Sequence, residues 1–246
     1  VLDKVMAWRG VFAIGVLTLV TVWLGWQGML GFYIHPRYNL FTLVMAVIGV
    51  SLMAIAFFVP TKGHSHAGHK HAKGHSIMEW LSLALVTVVV AIALVLPPTT
   101  LSSYTAENRS FGTVATSPAA DAIDVESTTS GFENLTVRDW ASLLIQTQDP
   151  SFFRGKPFNA LGTITDSGDP DVFFLTRFVV TCCAVDAQPV SIPVYYPGWS
   201  DEFAVDSWVT VNGGFQVLPQ IAEPGNLAVV PGDIVEEEVP REPYLF

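Results

Sequence analysis

Apolar residues run without a formal charge from Gly10 to Ile34 and again from Tyr38 to Thr61. Each run exceeds the ~20 residues that a helix rising about 1.5 Å per residue needs to cross a bilayer. The turn between them, Ile34-His-Pro-Arg-Tyr38, breaks the helix: Pro36 has no amide hydrogen and disfavours helix at His35. The pattern predicts an antiparallel hairpin with Arg37 at the membrane interface. A third apolar run, Leu81 to Leu96, closes on Pro97-Pro98 and reaches spanning length when extended back to Ile77. A signal peptide is the competing reading of the first run, but that run is longer than the ~7–15 residues of a signal core, and no Ala-x-Ala site follows.

After Pro98 the pattern changes. Residues 99–131 are rich in Ser, Thr, Ala and Asp and predict an extended tether. Thr136-Val-Arg-Asp139 ahead of Trp140, Leu143, Leu144 and Ile145 predicts an N-capped amphipathic helix ending near Asp149-Pro150. Strands are predicted at 156–165, 172–182, 190–196, 207–217 and 226–230, separated by Gly, Pro and Asp clusters. The expected fold class is therefore three transmembrane helices plus a C-terminal mainly-β domain, an OB-like small barrel with one helix, with a small open sandwich as the alternative. Its divisions are a membrane part over 1–98 with a His-rich loop at 62–76, a tether over 99–131 and a β-rich domain over 132–246.

Charge sharpens this division. The chain carries 12 Lys and Arg against 22 Asp and Glu. Residues 1–101 hold six basic and two acidic side chains, and the remainder six basic and twenty acidic. No basic patch exists to neutralise phosphates, so nucleic acid is excluded as a partner. Lys4 and Arg9 precede the first run, and Lys62, Lys70 and Lys73 follow the second. By the positive-inside rule the N terminus is expected in the cytoplasm and, after three crossings, the C-terminal domain outside.

Metal chemistry has two candidate seats. His64, His66, His69, His71 and His75 fall in one Gly-rich loop whose neutral imidazoles could wrap a zinc or other transition-metal ion. The alternative is a solvated connector whose histidines respond to pH near 6.5. Cys182 and Cys183 are the only cysteines and are adjacent. In a regular strand their thiols would face opposite ways, so sharing a metal needs a bend, and a bend towards Pro189 would bring Asp186 within reach as a third ligand. The competing reading makes one Cys core and the other a surface filler. The spans carry no charge at mid-depth and hence no ion path of their own. The β-rich domain has no histidine, and neither a Walker loop nor a Gly-x-Gly-x-x-Gly motif occurs, so an enzyme is not expected.

Tyr33-Ile-His-Pro-Arg37 and Arg177-Phe-Val-Val-Thr-Cys-Cys-Ala-Val-Asp-Ala-Gln-Pro-Val190 together resemble the YcgQ-like family of two-component permease subunits. The resemblance implies a bacterial multi-pass membrane protein working beside a larger multi-span permease, with a connection to zinc. It draws attention to Arg177, His35 and Arg37 beside Cys182, Cys183 and Asp186. The expected function is an accessory permease subunit; the alternative is a metal chaperone or sensor using the His-rich loop and the cysteine pair.

Overall fold

The computed structural model describes residues 2–58, 81, 84–85, 88, 100–107, 131–147, 149–218 and 226–246. The chain forms two compact units, Val1–Thr99 and Thr100–Phe246.

In the first unit, helix α1 (Leu2–Trp26) and helix α2 (Asn39–Phe58) pack against each other. The pairing is antiparallel, since Gly15 faces Met53, Thr18 faces Gly49 and Gly25 faces Leu43. Small residues at these crossings let the backbones approach. Gly28, at φ 71°, takes the left-handed conformation that follows the end of α1. A short 3-10 turn over Pro36–Tyr38 then leads into α2, with His35 as its N-cap. The hydroxyls of Thr18, Thr21 and Ser51 each donate to the carbonyl four residues back, so α1 and α2 satisfy these polar groups internally. Leu40, Phe41, Val47, Leu52 and Ile55 point outward from α2, exposed.

The second unit is built on six strands: β1 (Pro157–Asp169), β2 (Val172–Val179), β3 (Gln188–Tyr195), β4 (Trp208–Val217), β5 (Leu227–Glu237) and β6 (Tyr244–Leu245). The sheet order is β1-β4-β5-β3-β2-β6, and a further pairing of β1 with β2 closes the first five strands into a ring. Most pairings are antiparallel, but β3 runs parallel to β5 and β2 parallel to β6. Alternation along the strands turns Phe158, Ala160, Ile164, Phe173, Leu175, Ile192, Val209 and Val211 into one buried core. A register shift between Asn212 and Gly213 bends β4 against β5. Only glycine fits there, because a Cβ would strike the backbone of Val230 and Pro231.

Helix α3 (Ser103–Glu107) falls in the segment read from sequence as a tether. Its Ala106 is buried with Phe178, Val180, Ala187 and Tyr244, and Asp206 accepts hydrogen bonds from the Ser103 amide and hydroxyl. Helix α4 (Val137–Gln146) carries the expected capping box. Asp139 N–H donates to Thr136 Oγ1 at 3.3 Å, and Thr136 N–H donates to Asp139 Oδ2 at 2.8 Å. Its buried face presents Val137, Trp140, Ala141, Leu143 and Leu144 to the core, while Ile145, expected on that face, is exposed. Thr136→Ala is expected to cost about 1 kcal/mol in a denaturant titration of the full chain, the usual effect of losing an N-cap. An unchanged midpoint would show that tertiary packing alone fixes this helix.

The fold class expected from sequence is corrected. Among the described residues only one helix is long and apolar enough to cross a membrane, over Pro36–Ile55, and the described apolar part of α1, Ile14–Trp26, is shorter. The first turns of α1 hold Asp3, Lys4 and Arg9. The third expected span lies outside the described residues except at 81, 84, 85 and 88, as do the His-rich loop at 62–76 and residues 108–130 of the expected tether. In place of a five-stranded barrel with one helix stands a six-stranded mixed sheet, with helices α3 and α4 in the same unit. The added strand, Tyr244–Leu245, is too short to show a period of its own.

Candidate metal centre

β2 ends at Val179, three residues before the first cysteine, and the Val180 amide donates to Leu245 O at 2.9 Å as the last bond of its parallel pairing with β6. The strand expected to run to Cys182 thus stops three residues short of it, and beyond Cys182 and Cys183 the chain winds into a 3-10 turn over Ala184–Asp186 before β3, the bend that a shared site with Asp186 requires. Cys183 is the N-cap of that turn, and its side chain and the Asp186 backbone form half of a capping box. Asp186 supplies the other half and more. Its carboxylate accepts from Cys182 N–H at 2.7 Å, Thr181 N–H at 3.2 Å and Cys183 N–H at 3.4 Å. Three converging amides hold the carboxylate beneath the two cysteines.

This winding puts both thiols on one side. The Sγ atoms lie 3.5 Å apart without a disulfide, the Cys182 thiol donating to Cys183 Sγ, with Cys182 exposed and Cys183 half-buried. One ligand atom from each of Cys182, Cys183 and Asp186 lies within 4.8 Å of the others. Zn–S bonds of about 2.3 Å at a tetrahedral metal separate sulfurs by about 3.8 Å, so the observed spacing is close to that of a bound pair. The carboxylate oxygens, acceptor-only and with lone pairs left beyond three amide bonds, remain able to ligate. Three such protein ligands would leave a fourth tetrahedral position to water or another donor, the open pattern rather than the closed one of structural zinc sites.

Electrostatics fixes how the turn rests without a metal. Partial burial pushes the Asp186 carboxyl upward, but hydrogen bonds from Cys182, Thr181 and Cys183 outweigh it and hold it below the usual carboxylate range. The Cys182 thiol is pushed up to about 12, first by its hydrogen bond to Asp186 and next by that to Cys183. A thiol that keeps its proton is the opposite of an activated nucleophile. A metal ion would reverse that preference, since coordination deprotonates a thiol.

Of the other residues singled out in the sequence, Arg177 lies on β2 but turns away from the cysteines. Its guanidinium donates to Leu161 O at 3.3 Å and Glu242 O at 3.2 Å and lies over the Trp208 ring. His35 and Arg37 belong to the turn between α1 and α2, where His35 Nδ1 accepts from Arg37 N–H at 3.1 Å and Arg37 stacks on Tyr38. His64, His66, His69, His71 and His75 lie outside the described residues. Sequence reading missed the grip of Thr181 on Asp186; the only signal was the spacing from Thr181 to Asp186, which a strand assignment concealed.

An apolar helical hairpin, followed by a ring-closed β domain that displays two thiols and a carboxylate on one turn, defines a two-part protein with a candidate soft-metal site. Two family models cover these parts in order: the DUF1980 N-terminal domain matches residues 10–112 and the DUF1980 C-terminal domain matches residues 123–246. The chain belongs to the DUF1980 family. No curated protein and no solved structure matches it.

Proposed function

We propose that this chain is a membrane-anchored accessory subunit that holds one thiophilic divalent ion, zinc by preference, and presents it to a larger permease in the bilayer. The convergence of Cys182, Cys183 and Asp186 within 4.8 Å carries the reading. Two sulfurs and one oxygen suit a borderline-soft ion better than Mg²⁺ or Ca²⁺, which take oxygen ligands throughout. The exposed apolar face of α2 supports the anchor, since side chains such as Leu40 and Phe41 gain nothing from water.

The test is elemental analysis of the full chain purified in mild detergent, with cobalt substitution to read sulfur ligation. One ion per chain with a thiolate-to-cobalt band is expected, both abolished in Cys182→Ser/Cys183→Ser and retained when the five loop histidines are replaced by Ala. Metal content indifferent to the cysteine change would overturn the site. The subunit role has a separate readout, co-purification of a multi-spanning membrane protein; a chain that purifies alone under these conditions counts against it.

A further inference from the structure

The β domain holds a buried positive charge that the metal site does not use. Arg177 is 7% exposed, and its Nε is buried with no hydrogen-bond partner among the described residues. Leu161 O and Glu242 O occupy one hydrogen on each Nη, which leaves the Nε hydrogen and the second hydrogen of each Nη to be accounted for. Among the described residues no carboxylate compensates the charge: the contacts of the guanidinium are those two carbonyls and the Trp208 ring 5.0 Å away. Burial alone pulls it down to about 10, so it stays charged at neutral pH.

The position explains how the charge came to be enclosed. β1 pairs with β2 only from Thr163 onward, and β2 from Phe178 onward pairs with β6 instead. The two strands diverge at Arg177, and its side chain donates to Leu161 O, an acceptor that β2 no longer reaches. A neutral donor could serve that carbonyl at smaller desolvation cost, since burying an unpaired charge is far more costly than burying an amide. The seam also stays partly open. A cavity of about 240 Å³ lies there, lined by Arg177 with Thr136, Asn159 and Thr210 as polar walls and Leu135, Leu161 and Leu245 among its apolar ones. At ~30 Å³ per water it has the volume of about eight waters.

We propose that this seam cavity is a binding site for a small organic carboxylate, whose anionic head pairs with Arg177 and whose short hydrocarbon body lies against Leu135, Leu161 and Leu245. A planar guanidinium with adjacent N–H groups matches a carboxylate in two-point geometry. The apolar walls select against an inorganic oxyanion, which has no hydrocarbon to bury. None of Cys182, Cys183 and Asp186 lines this cavity.

The test titrates the full chain, labelled with ¹⁵N at arginine and held in detergent micelles, with isobutyrate, acetate, inorganic phosphate and sulfate. The Nε–H signal of Arg177, assigned through Arg177→Lys, is the readout because that hydrogen lacks a partner. A saturable downfield shift is expected with isobutyrate, at least tenfold weaker for acetate, and absent for phosphate and sulfate. Asn159→Phe puts a bulky ring on the cavity lining at an exposed position and is expected to weaken isobutyrate binding at least tenfold; Cys182→Ser/Cys183→Ser is expected to leave it unchanged. An Nε–H signal unmoved by isobutyrate overturns the proposal. So does equal response to phosphate, or binding that survives Asn159→Phe intact. Should Arg177→Lys fail to fold, the Asn159→Phe comparison still decides.

Discussion

Exchange of Asp186 for asparagine is expected to speed alkylation of Cys182 by about two orders of magnitude in metal-free protein at pH 8, while weakening metal retention. Both effects have one cause. The Asp186 carboxylate is the first reason that the Cys182 thiol stands at about 12 rather than its ordinary 9.0. Asparagine preserves the shape but removes the charge and puts an NH₂ where an acceptor stood. The thiol then falls back towards its ordinary value, with Cys183 still holding it somewhat high, and the thiolate fraction at pH 8 rises accordingly. Metal binding loses a ligand and an anchor together, because the three amides of Thr181, Cys182 and Cys183 all bond that carboxylate. Iodoacetamide labelling read by fragment-ion mass spectrometry, alongside metal analysis, measures both. A rate equal to wild type would show that the carboxylate does not hold the thiol proton.

The same bonds give the turn a pH dependence whose sign follows from the depressed Asp186 value. A carboxyl held below its unfolded value contributes stability that is complete above the ordinary carboxylate pKa of ~3.9 and lost as pH falls through the folded value. The turn should keep its amide protection at pH 5 and lose it in stronger acid.

Trp140→Ala is expected to destabilise the β domain by about 3–5 kcal/mol, the usual range for emptying a buried aromatic site. Trp140 is wholly buried and sits at the centre of a ring cluster: Phe215 at 5.1 Å, Phe132 and Phe158 at 5.8 Å and Phe153 at 6.4 Å. These rings come from α4, β1, β4 and the segments flanking α4, so the cavity would open where those pieces meet. Neighbouring phenylalanines cannot collapse into it without leaving their own contacts. Since domains of this size commonly keep only about 5–15 kcal/mol in reserve, the loss should be visible as a large drop in thermal midpoint by circular dichroism. A small drop would mean that α4 contributes little to the sheet it packs against.

How much of this was legible in the sequence depended on the range of the signal. The capping box of α4 is a four-residue pattern, Thr136 to Asp139, and the helix begins where that pattern places it. The starts of β1, β2 and β4 agree to within a residue because Gly, Pro and Asp clusters punctuate them locally. β5 runs on to Glu237, seven residues beyond its expected end, since its acidic tail pairs with β4 despite an exposed, charged pattern. Nothing local announces ring closure, or that β2 would pair with a two-residue strand at 244–245. Cys182, Cys183 and Asp186 could be nominated from composition and spacing; the amides that bond Asp186 could not, because they depend on the backbone dihedrals of an irregular turn.

With both of its cysteines in one turn, this chain can form no covalent bond between separate pieces of its architecture. Its biogenesis therefore needs no thiol oxidase and no disulfide isomerase, and the β domain can reach the same fold in a reducing or an oxidising compartment. Thiol oxidants and reductants act within this chain on one place only, the turn that carries the candidate metal ligands, so a change in thiol redox state would alter that turn without cross-linking the strands around it.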